Sequence, residues 1–401
     1  MRHKLDERGR EAFYLLEYEK KKLEDCAGSL NSLAMAFLMD TGDKTEEKNR
    51  QTLLFEKQLE ENRQLFSGQL TEMAKVLKRT SRESVRIIRL GKKKEKQISR
   101  LLLLEGLALD DFYLLEKENG RREAAVSLHL ASNRKKGVVC SAEEVAGFLS
   151  VLLESRLIPT ERPPFFVTRE TQTMYFQEES RFTVLTGFAK AVKEKEKMSG
   201  DNHSFFETAE GDFFALLSDG MGSGEKACAD STLILNMTER LLQSGFSQEL
   251  AVKLINDALI VSGENKNMST MDLCKINLHT GEVDLMKIGS ASSLIRRDGY
   301  VEEITSQSLP LGVFSQLQPI RCRRSLMPGD YIFLLSDGVT DSFDSDEGKA
   351  FLKQLVAEIP YRRPTEMAGY LMKYVIGTAK GKIKDDMTVL VIGVWENEEM
   401  E

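Results

Sequence analysis

None of the five cysteines (Cys26, Cys140, Cys228, Cys274, Cys322) stands in CxxC spacing with another, and the four histidines (His3, His129, His203, His279) are equally dispersed. Those absences exclude a zinc-ribbon site, a histidine-rich metal centre and a disulfide framework, and they fit reduced thiols in a cytosol. Aromatics are only 7% of the 401 residues, and the most apolar short run, Leu101 to Leu104, stops at Glu105, far below a membrane span. The N-terminus is charged from Arg2 onward, unlike a signal peptide. A soluble, cytoplasmic chain is expected. A net charge of −7 without a dense basic patch argues against nucleic-acid binding. Charged residues do make up 30% of the chain, enough for long solvent-laced helices.

Between residues 5 and 100 there is no proline. Leu16, Leu23, Cys26, Leu30, Leu33 and Phe37 form an a/d stripe, and Leu59, Phe66, Leu70, Met73 and Leu77 form a second. Turn residues Met39 to Lys44 separate them. Residues 1–100 therefore read as two long amphipathic helices, either a bundle packed on its own domain or a coiled coil that makes a homodimer. The basic run from Arg79 to Arg100 reads as a solvated helix face.

Residues 101–179 read as a small α+β module. Strands are expected over Gly106–Leu115 and Glu123–Leu130, joined at Asn119-Gly120, and again over Phe165–Thr168 and Thr171–Phe176. Ser141 and Glu144 have capping-box spacing, which opens a helix burying Val145, Phe148, Leu149, Leu152 and Leu153. No acid, histidine or glycine constellation supports chemistry there, so regulation or docking is its expected role.

Residues 180–401 carry a repeat. Gly211 to Gly220 reads GDFFALLSDG, and Gly329 to Gly338 reads GDYIFLLSDG. Each apolar run suits a strand covered on both faces, and each ends abruptly at Asp-Gly. Helices are expected over Glu225–Gln243, Gln248–Val261, Glu347–Ile359 and Thr365–Thr378, with hairpin-linked strands between and after them. Strands in bulk with paired helices outside predict an antiparallel β-sandwich flanked by helical layers, an α+β fold.

Four acidic positions stand at turns beside these strands: Asp201, Asp219, Asp337 and the pair Asp385-Asp386. Carboxylates without thiol or imidazole partners select Mg²⁺ or Mn²⁺ over zinc or copper. A single Asp-Gly is ordinarily a turn, but that leaves the repeat unexplained. Gly220-Met221-Gly222-Ser223-Gly224 is no P-loop, because Glu225-Lys226-Ala227 follows where Lys-Ser/Thr is required.

Gly200-Asp201, Ser218-Asp219-Gly220-Met221-Gly222-x-Gly224, Ser336-Asp337-Gly338 and Asp385-Asp386-Met387-Thr388 resemble, in order and spacing, the motifs of the metal-dependent PPM-type (type 2C) protein serine/threonine phosphatases. Ser269 to Leu273, Ile288-Gly289-Ser290 and Leu309 to Gly312 bring the chain nearest to the members of that family that control sporulation. The resemblance covers roughly residues 180–397. It implies a PPM-type fold and two Mn²⁺ or Mg²⁺ ions per active site. Asp219 would bridge them, with the Gly220 carbonyl on one and Asp337 and Asp385 on the other. Asp385 is preferred to Asp386, and Asp201 would act through water or on a weaker third ion. Ser218, Ser223 and Ser336 would be structural, and His203 a marginal candidate for protonating the leaving group. The resemblance further implies a phosphorylated anti-anti-sigma-type protein as substrate, with release of a sporulation sigma factor. It also implies that the helices after Asp219 switch position to complete the metal site. The membrane segment of those relatives is not seen in this chain, so membrane association would come from a longer native protein. A catalytically inactive, phosphatase-like scaffold acting through its helical region is the alternative reading.

Overall fold

The computed structural model describes residues 64–397, apart from 65–66, 79–85, 89–90, 117–121, 132–139, 161–163, 209, 223, 262–267, 290, 315–316, 344 and 379–380, together with a few positions between 23 and 35. The Met39–Lys44 turn, most of the first amphipathic stripe and the Asn119-Gly120 turn lie outside these residues. Residues 67–78, which carry Leu70, Met73 and Leu77 of the second stripe, are helical. Backbone contacts divide the chain into two units, built mainly on Met73–Glu179 and Ser180–Glu398. Among the described residues no helix is long and apolar enough to cross a membrane.

The first unit runs β1 (Arg86–Ile88), α1 (Lys92–Leu104), β2 (Leu107–Glu116), β3 (Arg122–Leu130), β4 (Cys140–Ser141), α2 (Ala142–Leu153), β5 (Leu157–Pro159), β6 (Phe166–Val167) and β7 (Gln172–Glu178). Its main sheet has the order β1-β2-β3-β7-β5 and is antiparallel throughout. The capping box is present: the Glu144 N–H donates to Ser141 Oγ at 3.2 Å, and the Ser141 N–H donates to Glu144 Oε2 at 2.9 Å. Val145 and Leu149 are buried as expected, whereas Phe148, Leu152 and Leu153 are only partly buried at the margin of the core. One expectation is corrected. Helix was expected up to residue 100, yet Arg86–Ile88 is a strand paired with Leu114–Glu116. Ile87 and Ile88 are β-branched, and an available sheet edge outweighs their weak helix propensity. Because Ile98 and Leu102 of α1 are also buried in this core, the module includes residues before 101.

The second unit comprises β8 (Phe182–Ala191), β9 (Asp201–Glu207), β10 (Asp212–Gly220), α3 (Gly224–Gln243), α4 (Gln248–Val261), β11 (Ser269–Asn277), β12 (Glu282–Ile288), β13 (Ser293–Arg297), β14 (Tyr300–Ile304), β15 (Ile320–Ser325), β16 (Tyr331–Leu335), α5 (Asp337–Thr340), α6 (Asp346–Ala357), α7 (Pro364–Thr378) and β17 (Met387–Glu396). Two five-stranded antiparallel sheets, β15-β12-β11-β10-β9 and β14-β13-β16-β17-β8, form the expected sandwich. Their inner faces meet through Phe213, Ala215, Leu217 and Ile276 on one side and Ile332, Leu334, Leu390 and Ile392 on the other. The outer face of the first sheet (Phe214, Leu216, Leu273) packs under Ile234 and Leu235 of α3 and Val252 and Ile255 of α4. Phe333, Leu335 and Val391 of the second sheet pack under Val356 of α6 and Leu371 of α7. Both repeats are therefore strands covered on two faces, which is why neither alternates. A second correction concerns Asp201, expected at a turn. Asp201 opens β9, whose first four residues are polar, so that its apolar contacts begin only at Phe205 on the inner face and Phe206 on the outer one.

A buried ion pair between β11 and β12 is tied to the second sheet through Ser293. Lys287 Nζ, on a side chain that is 1% exposed, bonds the Asp272 carboxylate and donates to Ser293 Oγ at 2.7 Å. Removing one partner strands a buried charge. Asp272→Ala is expected to lower unfolding free energy by about 3–5 kcal/mol, measured by urea titration. Asp272→Asn, which keeps a polar partner for the ammonium, should lose less.

Candidate active site

Strand alternation sends residues two apart to the same face. On β10, Phe213, Ala215 and Leu217 face the inter-sheet core, so the next position in that row is Asp219. On β9 the same row ends at Asp201, which stands directly opposite Asp219 in the antiparallel register. From the other sheet, Asp337 follows β16 at the start of α5, and Asp385 precedes β17. The four acids thus converge at one end of the sandwich, two from each sheet. Two glycines allow this closeness. A Cβ on Gly220 would stand 2.3 Å from the Ala227 carbonyl oxygen, and one on Gly338 would stand 2.2 Å from that of Asp386.

Electrostatics tie the group together. Burial, then the charges of Asp201 and Asp337, push the Asp219 carboxyl up to about 9. Burial, then the charges of Asp201, Asp341 and Asp385, push Asp337 up to about 6. Asp201 is fully buried, and burial raises its carboxyl despite the hydroxyls of Thr388 and Ser336 nearby. Among the described residues, neither Asp201 carboxylate oxygen has a hydrogen-bond partner, and the Thr388 hydroxyl also lacks one. Unpaired buried oxygens in a carboxylate cluster are a donor set suited to a hard divalent cation. Among the described residues, however, no three such side chains are already close enough to form a ligand group. The acids fit an ion in chemistry and placement but are not drawn in around one.

The acidic pair is split by function. Asp386 is buried and accepts two backbone N–H groups, from Lys193 at 2.8 Å and Gly200 at 2.7 Å. Asp385 is 52% exposed at its side chain, pairs with Lys193 Nζ at 3.3 Å, and acts on Asp219 and Asp337. Its Oδ1 also accepts the Asp386 N–H at 3.0 Å, and its exposure leaves Oδ2 accessible to a ligand.

Ser218 and Ser336 are buried in backbone support. Ser218 Oγ lies 2.8 Å from Ser269 Oγ, and Ser336 Oγ accepts the Thr388 N–H at 2.8 Å. Ser223 lies outside the described residues. His203 does not join the acids. It packs 4.3 Å from Phe188 and 5.4 Å from Phe205 between ring centroids, and burial, then Lys190, lowers its pKa. Sequence reasoning missed the support residues. Asn202 donates to Ser231 Oγ at 2.8 Å, and Ser231 Oγ donates to the Gly200 carbonyl at 2.6 Å, tying α3 to the backbone beside Asp201. The only sequence signal was that Asn202 must face opposite to Asp201 once β9 is known to be a strand.

The raised carboxyls fix a pH dependence. A carboxyl whose folded pKa exceeds its unfolded value of about 4 favours the folded state at low pH. That contribution disappears as pH rises through about 6 for Asp337 and about 9 for Asp219. In EDTA, Asp219→Asn should therefore melt higher than the parent protein, by a margin that grows between pH 5 and pH 9. Scanning fluorimetry reads it directly; a margin that shrinks with pH would contradict the assignment.

The family described as Stage II sporulation protein E (SpoIIE) matches residues 209–395. Stage II sporulation protein E of Bacillus subtilis (strain 168) is 28% identical over 346 residues, covering 86% of this chain and 41% of that protein. Its counterpart in Priestia megaterium is 28% identical over 341 residues, covering 85% of this chain and 58% of that protein. The chain thus spans about half the length of these relatives. Among solved structures, the PP2C phosphatase domain with a fragment of the regulatory domain of Bacillus subtilis SpoIIE is 26% identical, at a TM-score of 0.60 over 86% of this chain and 99% of that one. The same protein's phosphatase domain, in a crystal form without domain swapping, is 30% identical over 55% of this chain and 96% of that one, at a TM-score of 0.46. Residues 209–395 thus carry a match to the Stage II sporulation protein E family, and the second unit that contains them is a phosphatase domain of the PP2C type.

Proposed function

We propose that this chain is a metal-dependent protein serine phosphatase that hydrolyses phosphoserine on an anti-anti-sigma-type regulatory protein, and so controls a sporulation sigma factor. The observation that carries this reading is the convergence of Asp201, Asp219, Asp337 and Asp385, with Asp219 pushed up to about 9 by burial and then by the charges of Asp201 and Asp337. Asp219, with the Gly220 carbonyl, would hold a pair of Mn²⁺ or Mg²⁺ ions that Asp337 and Asp385 complete. Asp201 would serve a third ion or a bound water. When bound, such a pair lowers the pKa of a water and offsets charge developing at phosphorus. The chain's own residues orient and exclude. Ser218 and Ser269 fix the end of β10, since Ser269 Oγ donates to the Asp219 carbonyl at 2.6 Å. Asp386 fixes the β8–β9 connection. The Ser218 and Ser336 hydroxyls are engaged in this support, which leaves attack to water rather than to an enzyme serine.

We place the protein in the cytoplasm and assign homodimerisation to the part of residues 1–100 that precedes β1, which light scattering on the full chain and on a chain starting at β1 tests. The activity test is phosphate release from phosphorylated anti-anti-sigma-type proteins with and without Mn²⁺. Mn²⁺-dependent release supports the reading. Neither turnover nor metal binding would leave the scaffold reading in its place.

A further inference from the structure

A phosphoserine substrate brings a dianion to a cluster of carboxylates, so something besides the ions must receive its outer oxygens. Lys193 to Lys197 alternates lysine and glutamate. In the structure, the connection from β8 to β9 is closed at both ends by one buried carboxylate. Asp386 takes the Lys193 N–H on Oδ1 at 2.8 Å and the Gly200 N–H on Oδ2 at 2.7 Å. The Glu194 N–H adds a bond to the Ile383 carbonyl at 3.0 Å. Lys193 therefore starts from a fixed backbone, in fixed relation to Asp201, one residue beyond Gly200. Its ammonium lies 3.3 Å from Asp385 Oδ1, with the two side chains 35% and 52% exposed.

An ion pair this exposed is weak, so it exchanges readily. Asp385 is also one of the acids proposed to take a cation. Once its charge is engaged there, the ammonium loses its partner while its backbone stays in place at the mouth of the acid cluster. We propose that Lys193 is a substrate-binding residue that receives a non-bridging phosphoryl oxygen, and that Asp386 is the positioning residue that holds it there. The inference rests on the phosphatase reading for its substrate, but the anion site it describes can be measured without turnover. A phosphoryl oxygen gives the ammonium a charge-assisted bond at the point where the phosphate faces solvent. Loading the acids then frees the lysine that the phosphate needs, so metal and phosphate would bind with positive coupling.

The test uses the full chain loaded with Mn²⁺, with Lys193→Met and Lys193→Arg compared by calorimetry against inorganic phosphate and by KM for p-nitrophenyl phosphate. Lys193→Met should weaken phosphate binding and raise KM by roughly tenfold each, the loss of one charge-assisted contact. Lys193→Arg should stay within about threefold, because the charge is kept. Mn²⁺ affinity in Lys193→Met should be unchanged or tighter, since a competing cation is gone; a merely structural lysine predicts weaker metal binding. Phosphate affinity and KM both within twofold of the parent would overturn the assignment. Weaker phosphate binding in a chain that shows no turnover would uphold the anion site and remove the phosphatase reading instead.

Discussion

Asp219→Asn is expected to lower Mn²⁺-dependent phosphate release by about a thousandfold or more, the scale of losing a central electrostatic element of a hydrolytic site. Asp219 faces Asp201 across the β9–β10 ladder and feels Asp337 and Asp385 from the second sheet. Asparagine has nearly the same shape and packs in the same place, but it cannot carry the charge that holds a divalent ion. The loss should therefore appear together with loss of Mn²⁺-induced stabilisation, while the metal-free variant gains stability. This pairing separates the site from a folding defect, which would lower both. Retained turnover, or a variant that Mn²⁺ still stabilises as well as the parent, would refute the role of Asp219.

Gly220→Ala is expected to disable the site by a different route. The added methyl would meet the Ala227 carbonyl oxygen at 2.3 Å and its carbon at 2.9 Å, both backbone atoms at the start of α3. Neither can rotate away, so α3 must lift from the end of β10 or the strand must shift. Overpacking of this kind costs about 1–3 kcal/mol or more. Because α3 also holds Gly200 through Ser231, the displacement should reach Asp201 and Asp219 together. Expected results are a lower melting temperature and at least roughly tenfold weaker Mn²⁺ binding by calorimetry, an energy of about 1.4 kcal/mol. Gly369→Ala in α7 is the matched control. Nothing lies within 4 Å of its new methyl, and alanine in a helix should stabilise slightly. Equal behaviour of the two variants would show that contact with α3 is unimportant.

Much of the fold was legible because its strongest signals are local. The apolar runs of β10 and β16 had to be buried on both faces, and the structure covers them with the opposing sheet and with helices. The Ser141 capping box depends on residues within one turn, and it is formed. What escaped depends on pairing at a distance. Arg86–Ile88 is a strand only because the edge of β2 is available to it. Asp201–Glu207 is a strand only because β10 lies beside it, and its polar residues are occupied by α3 and the acid cluster. The choice between Asp385 and Asp386 was read from resemblance. Its physical basis, two backbone N–H groups consuming Asp386, spans nearly two hundred positions of sequence.

The sequence by itself determined the sandwich of strands with outer helices, the repeat of Asp-Gly after buried strands, and the absence of cysteine or histidine sites that compete with an oxygen-ligand chemistry. These follow from periodicity, turn chemistry and composition, which act over a few residues. Only the tertiary structure decided that Asp201 and Asp219 stand opposite each other and that their charges meet those of Asp337 and Asp385. It alone fixed Lys193 at the edge of that group. Burial and Coulomb repulsion between carboxylates depend on distance through space, and spacing along the chain does not encode that distance.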